Sequence, residues 1–264
     1  MVKKGKHTHI LVIRLSAMGD VAMTVPVLRA LIDKYPEIRL TILTKKNFMP
    51  IFDGLEHVQV KEADVKNRHK GLMGLWRLYK ELKPQQFDAV ADLHNVLRSR
   101  ILKKYFALDR LPFAQIDKGR KEKKALTRSK NKVFEQLRTT HQRYADVFGQ
   151  LGFPVDLSNA KPLERIQLSE KVLGLVGQDV KKWVGIAPFA AHEGKMYPLE
   201  STKEIIKKLD DTEKYKILLF GGGTKEIEVL EGMAQTSENV FCMAGKLIGQ
   251  PGIPIVQKHR HSAG

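Results

Sequence analysis

The sequence predicts an α/β protein made of two successive units, each a parallel sheet covered by helices. Three observations carry this. Apolar runs alternate with amphipathic stretches along most of the 264 residues, the order expected of βαβ units. The alternation breaks once, over 153–166, where "FPVDLSNAKPLERI" holds two prolines and no period. It then resumes with glycine-bearing turns between apolar runs and helical stretches. The expected organisation is a first unit at 1–152, a linker at 153–166, a second unit at 167–247 and an irregular tail at 248–264. A hydrophobic fraction of 42% is ample for cores in both units.

In the first unit, "HILVIRL" reads as a buried strand. Val21, Val25, Leu28 and Ile32 then recur near helical spacing. Pro26 argues against a helix running from Val21, because it cannot donate to the carbonyl four residues back; a start nearer Thr24 puts it in the first turn. "RLTILT" at 39–44 and "VQVKEA" at 58–63 are strands, and "GLMGLWRLYKELK" at 71–83 has helical periodicity. "FDAVADLH" at 87–94 is a strand, 95–107 a helix, "LPFAQI" at 111–116 a strand and 133–151 a helix. The second unit offers "KKWVGIAP" at 181–188, a helix at 201–209 and "YKILLFGGG" at 215–223. A helix at 225–234 and "NVFCMAG" at 239–245 follow. About three strands are visible before the tail, which mixes Pro, Gly, His and basic residues. Its His259 and His261 have no carboxylate neighbours, so disorder is a better reading than metal binding.

The net charge of +17 draws the chain toward polyanions: nucleic acid, anionic membrane or phosphorylated substrate. The densest run, "KGRKEKKALTRSKNK" at 118–132, sets eight Lys or Arg against one Glu and reads as a solvated loop. It has no interleaved aromatics for base stacking, which argues against nucleic acid. The single cysteine, Cys242, excludes an internal disulfide and a cysteine-rich zinc site. No stretch approaches the ~20 apolar residues of a membrane span. The basic start lacks the long apolar region of a signal peptide, so the expected location is cytoplasmic.

Three strand-to-helix junctions carry candidate chemistry. The first, "RLSAMGDVAM", is not a dinucleotide fingerprint, since Gly19 stands alone. Strand carboxyl ends border the binding crevice of open sheets, so Asp20 there serves either as a helix cap or as a catalytic carboxylate. In "GIAPFAAHEGKMYPLE", Lys195 is either an anion-neutralising point charge or one more exposed lysine. In "LLFGGGTKEIEVLEGMA", Gly221 and Gly222 allow close backbone approach ahead of a helix N-terminus. Glu226 suits ribose hydroxyls, or equally the helix dipole.

Taken in order from Ile10 to about Leu247, "ILVIRLSAMGDVAMTVPVLRAL", "DAVADLH", "GIAPFAAHEGKMYP", "ILLFGGGTKE" and "NVFCMAGKL" resemble glycosyltransferase family 9, the ADP-heptose:lipopolysaccharide heptosyltransferases. The resemblance implies a GT-B fold: two Rossmann-like domains, the first binding acceptor and the second nucleotide-sugar. It implies transfer with inversion from an ADP-sugar donor to the lipopolysaccharide core, with no cofactor and no required metal. Asp20 would be the general base. Ser16, Met18, Gly19 and His94 would line the acceptor side, and Lys195, Glu226, Gly221 and Gly222 the donor side. Ala190 and Ala191 stand where some members carry hydroxyl residues, which leaves one phosphate contact to backbone. A basic acceptor domain would associate peripherally with the anionic inner face of the membrane, with 118–132 contributing.

The family also carries an Asp-Ser/Thr-Gly-x-x-His segment after the "AGKL"-like stretch, and nothing from Lys246 onward matches it. The expectation is a C-terminally truncated family member with an incomplete second domain, in which donor binding is weakened or lost and activity is reduced or absent with it. A shifted or prematurely ended reading frame, a fragmentary gene model and a degenerate paralogue all fit; the abrupt departure favours the first two. The competing class is a catalytically silent module that binds anionic glycolipid or membrane surface through its first unit.

Overall fold

The structure, a computed structural model, describes residues 8–158, 169–177, 180–190 and 192–246. The chain divides into two compact units, 1–162 and 163–264.

The first unit holds β1 (Thr8–Ile13), β2 (Ile38–Thr44), β3 (Val58–Glu62), β4 (Ala89–Asp92) and β5 (Phe113–Gln115). They form one parallel sheet in the order β3-β2-β1-β4-β5. The chain therefore winds outward from β1 to β3, then returns to the other side of β1 with β4. The direction reverses between β1 and β4, and in open parallel sheets the carboxyl ends of the strands at such a reversal are where ligands bind.

Side chains alternate across the sheet, and both faces are covered. Leu11, Ile13, Leu15, Leu43 and Val90 pack with Leu75, Leu78 and Tyr79 of α3 (Gly71–Leu82) and with Leu102 and Phe106 of α4 (Leu97–Phe106). Ile10 and Val12 lie beside Leu40 and Ile42 and are directed to the opposite face. On that face α6 (Thr140–Gln150) packs against β4, β5 and α2 (Val25–Lys34). Fully burying each such aliphatic chain contributes about 1.5–3 kcal/mol.

As expected, α2 begins behind Thr24 with Pro26 in its first turn, and a separate short helix, α1 (Met18–Ala22), precedes it. Two expectations for this unit need correction. The basic run is not simply a loop: Arg120–Thr127 is helix α5, tied down by an ion pair between Glu122 and buried Arg143. The last helix does not begin at 133. It starts behind Thr139, whose side chain and Gln142 form a reciprocal capping box.

The second unit contributes β6 (Lys182–Ile186), β7 (Tyr215–Leu219) and β8 (Val240–Cys242), paired in parallel in that order. Ile206 of α8 (Leu199–Asp210) and Leu230 and Met233 of α9 (Thr224–Ala234) cover one face with Ile217 and Leu219. The other face carries Val172 and Val176 of α7 (Glu170–Val176), packed on Trp183 and Leu218. That helix was not expected from the sequence. Linker positions 159–166, Ala191, Leu247 and the tail 248–264 with His259 and His261 lie outside the described residues.

Candidate functional site

At the carboxyl ends of β1 and β4, Arg14 organises the first unit's candidate site. Its backbone N–H continues the β1–β2 ladder to the Leu43 carbonyl at 3.1 Å. Alternation directs its side chain, like Ile10 and Val12, toward α6, and its guanidinium lies 5.7 Å from the centre of the Tyr144 ring. The guanidinium donates to the Leu93 carbonyl at 2.6 Å and forms an ion pair with Oδ2 of Asp20. The arginine side chain is 8% exposed and that of Asp20 42%. A buried cation thus holds a carboxylate that solvent, and hence a substrate hydroxyl, can reach.

Asp20 sits inside α1, not at a helix cap. Ala17 is the N-cap residue of α1 and Thr24 that of α2, so the capping alternative is overturned. Its place in the first turn still favours a negative charge there. From the other side the Tyr144 hydroxyl donates to the Asp20 carbonyl at 3.1 Å, fixing the backbone of α1 to α6. Burial pushes the Tyr144 phenol up to about 12, so it remains a donor. Met18 and Gly19, on the same short helix, are exposed.

His94 completes the cluster. Its Nε2 is 3.4 Å from the Ser16 hydroxyl, and its Nδ1 is buried without a hydrogen-bond partner among the described residues. Burial, and secondarily the Arg14 charge, lower its pKa from 6.5 to about 4, so the imidazole is neutral at pH 7. Fully buried Asp92 sets its position: Oδ1 accepts from the backbone N–H of His94 and of Asn95, each at 2.9 Å. Its Oδ2 accepts from the Gln115 side chain at 2.6 Å. Half-buried Lys118 has its pKa lowered by burial, then by the nearby Arg120 and Arg14 charges. This places one lysine of the basic run within electrostatic reach of the site.

The structure thus gathers Ser16, Asp20 and His94, with Met18 and Gly19 alongside. Sequence reasoning missed Arg14, Tyr144, Asp92 and Lys118. Arg14 and Asp92 carried a usable signal, since each is a charged residue within or at the end of an apolar run that must be buried.

In the second unit, Lys195 lies in a short 3-10 helix, Glu193–Lys195, on the connection after β6. It is exposed, and its ammonium has no ion pair among the described residues. The loop after β7 is organised by its own helix. Glu226 Oε2 accepts from the Gly222 N–H at 2.8 Å, so that N–H is already used. A Cβ at Gly221 would come within 2.7 Å of Leu230 and 3.1 Å of Glu226 Oε2, so close packing requires glycine there. Gly223, at φ +89°, makes the turn into α9. Among the described residues no three His, Cys, Asp or Glu side chains gather to hold a metal ion, and no helix is long and apolar enough to cross a membrane.

Comparison with known proteins places these features. A family model described as glycosyltransferase family 9 (heptosyltransferase) matches residues 75–248. The lipopolysaccharide core heptosyltransferase OpsX of Haemophilus influenzae is 32% identical over 91 residues, 34% of this chain and 25% of that protein. The matched stretch therefore spans a quarter of that relative's length. Among solved structures, a glycosyl transferase family 9 protein from Veillonella parvula superposes with a TM-score of 0.72 at 19% identity, over 95% of this chain and 74% of its own. The E. coli heptosyltransferase WaaC with ADP-2-deoxy-2-fluoro heptose gives 0.64 at 17% identity, over 89% and 76%. These likenesses establish a GT-B fold, and the family model covers well over half of the sequence: the chain belongs to glycosyltransferase family 9, the heptosyltransferase family.

Proposed function

We propose that this chain descends from, and carries the acceptor-side chemistry of, an inverting transferase that moves heptose or a related sugar from an ADP-activated donor to the lipopolysaccharide inner core. The observation that carries the reading is the half-exposed Asp20 carboxylate held by buried Arg14 where the first sheet reverses direction. In the reaction, the acceptor hydroxyl oxygen bonds to the anomeric carbon and its proton passes to Asp20. The bond to the donor phosphate breaks, and ADP leaves with the electron pair. Arg14 touches one carboxylate oxygen and leaves Oδ1 without a hydrogen bond to any described residue. Neutral His94, with Ser16 and Gly19, lines the acceptor side.

Lys195 supplies positive charge where negative charge develops on the departing pyrophosphate. Glu226 and the 221–223 loop contact the nucleoside side once Glu226 releases Gly222. WaaC, solved with an ADP-heptose analogue, and OpsX, named for the lipopolysaccharide core, support this choice of donor and acceptor. Attraction of the basic chain to an anionic cytoplasmic membrane face belongs to the same reading.

The test incubates the full chain with ADP-heptose and heptose-free lipopolysaccharide, reading acceptor mass, and measures ADP binding by calorimetry. The expected result is an acceptor heavier by one heptose, with ADP affinity weakened about 10–100-fold by Lys195→Ala, the loss of one charged hydrogen bond. A chain that binds acceptor but neither binds ADP nor transfers sugar overturns the reading in favour of a silent binding module.

A further inference from the structure

Helix α3 carries an outer face that the transfer reading leaves unused. Its inner side, Leu75, Leu78, Tyr79 and Leu82, is buried in the first unit's core. Its outer side begins with Leu72 (64% exposed) and Met73 (87%), followed one turn later by Trp76 (39%). Exposing two aliphatic residues and an indole side by side costs free energy in water, and contiguous patches of this kind mark interaction surfaces.

The order of residues along the helix identifies the partner. At i, i+4 spacing, Leu72, Trp76 and Lys80 form one column, and Met73, Arg77 and Glu81 the next. Lys70 precedes the first turn, and Lys66 and Arg68 extend the basic rim. The acidic exception, Glu81, is neutralised by Arg68 and faces His69, both at 3.2 Å. Along the chain the order is therefore cations, an apolar pair, an indole and cations again, with Lys66, Arg68 and Lys70 on one side and Arg77 and Lys80 on the other. An apolar centre with an interfacial indole and flanking cations suits a surface lying in the plane of an anionic bilayer, its apolar side chains toward the acyl region and its cations at the phosphates. The indole is braced: its ring lies edge-on to Tyr105 at 5.1 Å, and the Lys80 ammonium sits 5.2 Å from its centre. The Tyr105 hydroxyl in turn donates to the Leu72 carbonyl at 3.2 Å, tying the apolar pair to α4.

We infer that the outer face of α3 is the membrane-docking surface of this protein. Leu72 and Met73 insert into the lipid, Trp76 sits at headgroup level, and Lys70, Arg77 and Lys80 engage anionic phosphates. The run at 118–132 adds long-range attraction only. This deepens the membrane part of the functional reading and is independent of the chemistry at Asp20, so either can fail without the other.

The chain has two tryptophans, Trp76 and Trp183, and Trp183 is buried in the second unit. Emission changes on adding vesicles therefore report α3. Mixed phosphatidylcholine–phosphatidylglycerol vesicles should blue-shift the emission and sediment with the protein, whereas pure phosphatidylcholine should bind far less. Raising salt from about 50 mM to about 500 mM should weaken binding without abolishing the shift at saturating lipid. Leu72→Glu with Met73→Glu puts carboxylates in a first helical turn, where the dipole favours them, so the fold is kept. Binding should fall at least about tenfold. Lys121→Glu, Lys123→Glu and Lys124→Glu together should cost no more than about threefold at moderate salt.

Parental vesicle binding by the α3 double variant, or no emission shift with anionic vesicles, overturns the inference. So does loss of binding in the 121–124 variant alone. A parental dimer that the α3 variant dissociates, read by light scattering, would show that a second copy covers this face and overturn it too.

Discussion

Replacing Arg14 by methionine tests whether the guanidinium organises the first unit's site. Methionine refills the apolar stem but removes the charged head. The donor at 2.6 Å from the Leu93 carbonyl disappears, a charged hydrogen bond in a buried setting worth about 1.5–3 kcal/mol. The ion pair with Asp20 also goes; with that carboxylate 42% exposed, solvent screening limits its share to about 1 kcal/mol. Arg14→Met should therefore destabilise by about 3 kcal/mol and lower Tm by roughly 5–10 °C. Asp20→Asn alone should cost about 1 kcal/mol, and the double variant should recover about 1 kcal/mol relative to the sum of the singles. Urea unfolding in a Trp183→Phe background, followed by fluorescence of Trp76, reads the first unit alone. A coupling within about 0.3 kcal/mol of zero would mean the two side chains act independently, and would refute the reasoning.

Two further outcomes follow from the same geometry. His94 titrates at about 4 in the fold and at 6.5 ordinarily, so between those values the unfolded chain takes up a proton that the native state does not. Stability should be flat with respect to this group above pH 6.5 and fall by up to about 3 kcal/mol as pH drops to 4. His94→Asn should flatten that slope when denaturation is measured at both ends of the window, while the smaller effect of His9, lowered by burial, persists in parent and variant alike. Gly119→Ala should destabilise by about 1–3 kcal/mol, because φ is +61° and the new Cβ would lie 2.3 Å from the buried Arg143 guanidinium. Its thermal melt should show this, and an unchanged Tm would mean that Arg143 does not anchor α5 to α6.

Much of the fold was legible because the central strands are buried on both faces and so read as apolar runs. "HILVIRL" and "YKILL" fall on β1 and β7, and the α3 stretch shows its period because one side meets the core. Helix α7 escaped notice because only Val172 and Val176 of its seven residues are fully buried, too few to set a period. Helix α5 was hidden because none of its residues is buried; a tertiary ion pair from Arg143 holds it, and no local pattern records that.

For the site, the Gly19–Asp20 turn drew attention to the carboxylate that Arg14 holds beyond the end of β1. What fixes it came from elsewhere in the chain: Tyr144 lies 124 positions away, and the Leu93 carbonyl that accepts from Arg14 lies 79 away. In the glycine loop, the sequence pointed to free N–H groups, and the structure gives one of them to Glu226.

The central claim, that Asp20 accepts the proton from the acceptor hydroxyl, is tested most directly by the single-turnover transfer rate of Asp20→Ala beside the parent chain, with ADP affinity and circular dichroism measured on both. A rate lower by about 10²–10⁴-fold, with donor affinity and fold unchanged, is the expected result. Transfer at the parental rate would contradict it.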